Sequence, residues 1–247
     1  MRQRVITAVV ALVIFIPILY VGGVVLEVAA AVLAGIGVYE LFRMKGLAIL
    51  SFEGVLSILG AVFLVLPAER WMPFLSGNNS NFLLFYLTVM IILGFSVVSK
   101  NTYTIDEAGF PVIVSLYVGV GFQNLVTARA NSLAILLFAF FIVGRQIGKH
   151  KLWPEISPNK TTEGALGGIA SAIVVAIIFF LVQPAVFHHN LVTIILFTLI
   201  FSIVGQFGDL VESAIKRHYD VKDSGNILPG HGGILDRFDS MVFVFPM

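Results

Sequence analysis

Ten of the Asp, Glu, Lys and Arg residues fall within residues 201–240, FSIVGQFGDLVESAIKRHYDVKDSGNILPGHGGILDRFDS, in an otherwise apolar chain. Their types and spacing suit phosphoryl chemistry. Asp209, Glu212, Ser213, Lys216 and Arg217 recur at steps of three and four, so a helix through them gathers them on one face. Asp220-Val-Lys222-Asp223-Ser224-Gly225-Asn226 reads as a loop, and Pro229-Gly230-His231-Gly232-Gly233 as a second, tight turn. Three glycines there remove side chains, which lets backbone N–H groups approach a phosphate. Asp236-Arg237-Phe238-Asp239 then opens a further helix, with both aspartates near its N-terminus. Carboxylates are the hard oxygen ligands that hold Mg²⁺ beside substrate phosphates. Lysine and arginine neutralise the charge that builds during transfer. The competing reading is an interfacial charge network with a loop crossing a solvated surface.

A second polar segment, 144–164, carries Arg145, Lys149, Lys151 and Lys160. Its first half also reads as an ordinary basic anchor at a membrane edge. In its second half a proline turn at Ser157-Pro158-Asn159 leads to Lys160, for which a phosphate or carboxylate is the natural partner. Thr161 or Thr162 caps the helix that follows.

The elements that position these groups are membrane helices. The 247 residues are 58% hydrophobic and only 12% charged, against about 25% charged in soluble domains. Apolar runs long enough to span a bilayer occupy 5–21, 24–42, 51–67, 82–98, 109–125, 132–147, 165–182 and 191–207. A ninth run begins near Ser240 and reaches Met247, too short to cross. The run around Phe110 is interrupted by Gly109, Pro111, Gly119 and Gly121, and Gly22-Gly23 joins the first two spans in a tight antiparallel pair. No alternating barrel pattern occurs, so the expected class is all-α: a polytopic helical bundle of about eight full spans. It is a single membrane-embedded domain over 1–247, with motif-poor helices over 1–130 and the site-bearing part over 131–247. With a cytoplasmic N-terminus, thirteen basic residues lie on the inside and only Arg70 and Arg129 outside. Both polar segments then face the cytoplasm. The absence of cysteine excludes disulfides and thiolate metal sites, and no basic block suggests nucleic acid.

Several of these residues form a recognisable signature. Ser213-Ala-Ile-Lys216-Arg217, Lys222-Asp223-Ser224-Gly225 and Pro229-Gly230-His231-Gly232-Gly233-Ile-Leu-Asp236-Arg237-Phe-Asp239-Ser240 resemble the phosphatidate cytidylyltransferases, or CDP-diacylglycerol synthases. Gly205-Gln206 and Gly208-Asp209-Leu210 look like that family's lead-in, and Gly144-Arg145, Gly148-Lys149-His150-Lys151-Leu152 and Ile156-Ser157-Pro158-Asn159-Lys160-Thr161 like its other motif. The resemblance implies transfer of the CMP part of CTP to phosphatidic acid at the cytoplasmic face of the inner membrane, by a homodimer in the lipid bilayer. It also implies Mg²⁺, with K⁺ associated, held by Asp209 and Asp236, and Asp223 and Asp239 are further candidate ligands or supporting acids. Lys216, Arg217, Lys222 and Arg237 are candidates for phosphate charge. Arg145, Lys149, Lys160, Ser224, Gly230, Gly232 and Gly233 are candidates for substrate binding. His231 either binds phosphate, protonates the departing pyrophosphate, or makes a structural hydrogen bond in its turn. The chain departs from many relatives at Leu137, where they carry an Asp eight residues before the arginine of the Gly-Arg motif.

Two alternatives remain at this stage. A CTP-dependent polyprenol or dolichol kinase shares the substrate logic. A transporter of a phosphorylated solute would place ionisable residues near mid-membrane, and the first seven spans have none at their centres. For the glycine turn, a phosphate cradle predicts that alanine at Gly232 or Gly233 impairs use of CTP with little loss of stability.

Overall fold

The computed structural model describes residues 2–75, 79–131, 151–153, 156–182, 190–230 and 232–246. The fold is all-α and polytopic. Its helices are α1 (Arg2–Val21), α2 (Gly23–Met44), α3 (Phe52–Val65), the single turn α4 (Ala68–Trp71), α5 (Ser80–Val98), α6 (Ile105–Asn131), α7 (Thr162–Val182), α8 (Leu191–His218) and α9 (Leu235–Val244). A hairpin of β1 (Lys151–Trp153) and β2 (Ser157–Thr161) precedes α7. Among the described residues α2, α5, α6, α7 and α8 are long and apolar enough to cross a membrane, and Val9–Val21 and α3 are shorter apolar helices. The expected span over 132–147 lies outside the described residues, together with Leu137, Arg145, Lys149 and His231. Where a proline turn was expected at Ser157-Pro158-Asn159, the backbone instead forms β2, antiparallel to β1 with Lys151 opposite Thr161. The run expected to begin near Ser240 is the second half of α9, which starts at Leu235.

The chain divides into two compact units: Met1–Ala130 with Asp223–Asp236, and Asn131–Lys222 with Arg237–Met247. In the first, small residues set the helix spacing. On α2, Leu26, Ala30, Ala34, Val38 and Leu41 are buried at near-helical intervals, whereas Val24, Val25, Val28 and Val32 are exposed, as suits lipid. Gly119 of α6 lets α3 approach closely, since a Cβ there would lie 2.8 Å from Leu64 and 3.1 Å from Ala61. The glycines and proline do not break α6. Pro111's carbonyl accepts the hydroxyls of Ser115 at 2.6 Å and Ser57 at 3.3 Å, so polar groups at the proline find partners inside the bundle.

Helix ends in this unit are closed by side chains from far along the chain. Arg129 donates to the carbonyls of Leu19 at 2.5 Å and Tyr20 at 2.8 Å, closing α1 where the chain turns through Gly22 at φ 64°. Asn81 donates to the carbonyls of Phe63, Leu64 and Leu66 at the end of α3, and accepts the Ala68 amide at 3.0 Å. Each contact satisfies groups that a helix leaves unpaired at its termini.

In the second unit, α7 and α8 pack through buried Ala172, Ala176 and Ile194, with Val175, Phe179 and Phe180 around them. Gln206 donates to the Ala165 carbonyl at 3.2 Å. Of the two threonines proposed as caps for α7, Thr161 does so: its hydroxyl accepts the Gly164 amide at 3.2 Å.

Glu27, buried near the start of α2, accepts Arg70 at 2.7 Å and the Trp71 indole at 2.9 Å. Hydrogen bonds to a charged group contribute about 1.5–3 kcal/mol each, less where the donor can return to water. Arg70 is half exposed, so Glu27→Ala is expected to cost about 2 kcal/mol, lowering the melting temperature in detergent by roughly 4–8 °C. An unchanged unfolding curve would remove this anchor of α4 from the account.

Candidate active site

α8 has 28 residues and therefore extends about 42 Å, well beyond a hydrocarbon core of about 30 Å. Its last turns carry Asp209, Glu212, Ser213, Lys216 and Arg217. The charge of Asp209 reaches Asp239, and a glycine explains why. A Cβ at Gly208 would lie 2.7 Å from the Asp239 carbonyl and 2.9 Å from Phe243 Cβ, so α9 packs backbone-close against α8 one residue before Asp209. Lys216 pairs with Glu212 at 3.3 Å; the Glu212 side chain is fully buried and that of Lys216 nearly so. Burial pushes the Asp239 carboxyl above its ordinary range, and the charge of Asp209 adds to the effect. A hydrogen bond with Glu212 and the positive charge of Lys216 act in the opposite sense. Asp239 is thus the member of the cluster that Asp209, Glu212 and Lys216 all influence. Arg217 is exposed and donates to the Ile156 carbonyl at 3.3 Å.

The other half of the signature folds around a carboxylate of α2. After α8 the chain passes exposed Lys222 and Asp223 to buried Ser224 and Gly225, then doubles back where Leu228 pairs with Gly232. Gly230 and Gly232 hold φ of 77° and 85°, in the left-handed region that disfavours any residue with a Cβ. Asp236 Oδ2 accepts the Ser224 amide at 2.9 Å, the Ser224 hydroxyl at 3.0 Å and the Gly233 amide at 2.8 Å. The residues leading into α9, Gly233 and Ile234, have no side chain able to cap a helix. Glu40 does so from α2. Its Oε1 accepts the Ile234 amide at 2.8 Å, and its Oε2 accepts the Leu235 amide at 2.9 Å and the Ser224 hydroxyl at 3.0 Å. A carboxylate at a helix N-terminus also opposes the helix dipole favourably.

Glu40 did not emerge from the sequence pattern. The available signal was a glutamate inside an apolar span, which costs stability unless it has a task, but its place near the span's end made it resemble an interfacial charge. Among the predicted residues, Asp209, Lys216 and Asp239 come together on α8 and α9, and Ser224, Gly232, Gly233 and Asp236 come together around Glu40. Arg237 is exposed on α9, and Lys160 lies in β2. Among the described residues no three His, Asp or Glu side chains converge as a ready-made metal cage.

The Cytidylyltransferase family matches this chain over residues 2–247. The chain is 44% identical to the phosphatidate cytidylyltransferase of Staphylococcus haemolyticus, with 100% of this chain and 97% of the relative covered. It is 42% identical to that of Staphylococcus saprophyticus, with 100% and 97% covered. It is 41% identical to that of Bacillus subtilis, with 100% and 95% covered.

The glycine geometry changes the expected outcome of alanine substitution. A Cβ on Gly233 would collide with Ser224 Oγ and both oxygens of Glu40, and one on Gly232 would collide with Asp236 Oδ2. Gly233→Ala is therefore expected to lose about 1–3 kcal/mol by overpacking. Gly232→Ala adds strain of about 1 kcal/mol from its positive φ. Thermal unfolding in detergent checks both. A Gly233→Ala melting curve matching wild type would restore the earlier expectation of a phosphate cradle with little structural cost.

Proposed function

We propose that this chain, which belongs to the cytidylyltransferase family and is a nucleotidyltransferase, moves the cytidylyl group of CTP onto phosphatidic acid, giving CDP-diacylglycerol and pyrophosphate. The observation that carries this reading is a family match running from end to end, across both polar segments, at over 40% identity to relatives named for that reaction. The chain is a multi-pass membrane protein, so the acyl tails stay among its apolar helices while the head groups meet the charged segment.

In this reaction a phosphatidate oxygen attacks the α-phosphorus of CTP, and the bond from that phosphorus to the bridging oxygen breaks as pyrophosphate leaves. A phosphate monoester is largely ionised at neutral pH, its second pKa being about 6, so no strong protein base is needed. Bringing two anions together is the harder task. We assign Arg217, Lys222 and Arg237 to that charge, with Lys216 shared between Glu212 and the reacting phosphates. Arg145, Lys149 and Lys160 belong to the same reading as nucleotide-side cations, and His231 as a phosphate ligand or proton donor to pyrophosphate.

The donor set suits a hard cation. Asp239 is raised by burial and by Asp209, so the pair gains from a bound positive charge. One or two carboxylates with substrate phosphates is also how Mg²⁺ is usually held, in keeping with the lack of a three-residue cage among the described residues. Asp209 and Asp236 would hold Mg²⁺, with Asp223 and Asp239 supporting and K⁺ as a further ion. Bound there, the metal supplies charge stabilisation on the transferring phosphoryl group. The reading further includes a homodimer in the inner membrane, with the site facing the cytoplasm, where CTP is found.

Purified protein given phosphatidate, Mg²⁺ and CTP labelled separately at the α- and γ-phosphates should place only the α label in lipid. Label arriving from γ would make it a lipid kinase. In the same assay, Asp209→Asn and Asp236→Asn should each lose more than the roughly 10–100-fold typical of a residue behind the metal ligands. Retained turnover at saturating CTP would end the ligand role. Topology has its own check. Single cysteines at Asn159 and Asn226, in a chain without cysteine, should resist an impermeant thiol reagent in intact cells and react in inside-out vesicles. Labelling from outside would invert the orientation.

A further inference from the structure

We propose that Glu40 is a positioning residue for this reaction, holding Asp236 in place through Ser224 and the start of α9. The inference rests on the reading of Asp236 as a metal ligand. Glu40 is 184 residues from Ser224 in sequence and has no exposed surface, although it lies on an apolar helix. Its carboxylate reaches the segment carrying Asp236, accepting the amides of Ile234 and Leu235 and the hydroxyl of Ser224 at 2.8, 2.9 and 3.0 Å. Gly225 and Gly233 lack a Cβ where Glu40 fills the space, so the loop is shaped to this side chain.

The link to Asp236 follows from proton counting. The Ser224 hydroxyl sits 3.0 Å from Glu40 Oε2 and 3.0 Å from Asp236 Oδ2, and it has one hydrogen to donate. The two carboxylates therefore share one donor. When the hydroxyl turns to Glu40, Asp236 keeps the Ser224 and Gly233 amides, whose positions depend on the loop that Glu40 pins. The rotamer of a metal-binding carboxylate is set by such outer partners.

Glutamine cannot replace this arrangement. Its one carbonyl oxygen serves one amide, and its NH₂ group then faces the other donor. A purely stabilising glutamate and a positioning one make different predictions. Loss of folded protein lowers the rate without changing the Mg²⁺ concentration that gives half activation, whereas a misplaced ligand raises that concentration.

The experiment uses the full chain in detergent, comparing wild type, Glu40→Gln and Ser224→Ala. Hydrogen exchange is followed without metal in peptides spanning 232–237, and initial rates are measured against Mg²⁺ and CTP. Glu40→Gln should speed exchange at Ile234 and Leu235 by about tenfold or more. It should lower kcat by roughly 10–100-fold and raise the half-activating Mg²⁺ about fivefold, leaving KM for CTP within about threefold. Ser224→Ala cuts only the shared hydroxyl, so it should keep the two amides protected and still raise the Mg²⁺ requirement. An unchanged Mg²⁺ requirement in Ser224→Ala, or in folded Glu40→Gln, overturns the positioning role. Should Glu40→Gln fail to fold, the shorter Glu40→Asp keeps both acceptor oxygens but withdraws them from the Ile234 and Leu235 amides. It should show the same rise in half-activating Mg²⁺, and an unchanged requirement there overturns the role. Wild-type protein that transfers no label would instead sink the reaction itself. That result is distinguishable, because failure of the Glu40 role appears as variants matching an active wild type.

Discussion

A backbone N–H or C=O buried without a partner costs stability, and several helix ends of this chain are organised by that constraint. Arg129 closes α1, Asn81 closes α3, and Glu40 closes the start of α9. None of these partners is local. Each lies on a different helix or segment from the end it satisfies, so the cap also fixes which elements pack together. A short local cap would satisfy the amides at the start of α9 without that consequence, as Thr161 does at α7 and Asn190 at α8, where its side chain accepts the Thr193 amide at 2.9 Å.

The reactive region uses close approach for a different end. Gly208 removes the side chain that would hold α9 away from α8, and Asp209 and Asp239 become neighbours as a result. Two like charges brought together under partial burial are unfavourable by themselves. In the reaction proposed above, a cation and anionic substrates would complete the arrangement and offset that repulsion. Lys216 offsets part of the excess through Glu212, which makes it a built component of the cluster and not a freely mobile surface lysine.

Glycine positions show what the residue pattern alone does not carry. Near-adjacent glycines around His231 looked like room for a phosphate. At Gly232 and Gly233 the room is already taken by Asp236, Ser224 and Glu40, because the loop folds back on the start of its own helix. In α6, glycines and a proline that seemed to interrupt a span sit within one continuous helix, where Ser57 of α3 meets the Pro111 carbonyl and Leu64 of α3 packs at Gly119.

The sequence alone determined the class, the helix runs and the family. Bilayer thickness sets a length that apolar runs either meet or miss, and the signature is a matter of residue types at fixed local spacing. The extension of α8 past its apolar part and the opening of a helix near Asp236 were legible for the same reason, since both follow from 3.6-residue periodicity. Only the tertiary structure decided that Glu40 belongs with Ser224 and Asp236, that β2 replaces a turn, and that Gly208 sets the approach of Asp239. Those facts depend on which surfaces meet across 184 residues or between two helices. Such pairings come from packing and from the need to satisfy buried polar groups, neither of which leaves a periodic trace in one chain's order of residues.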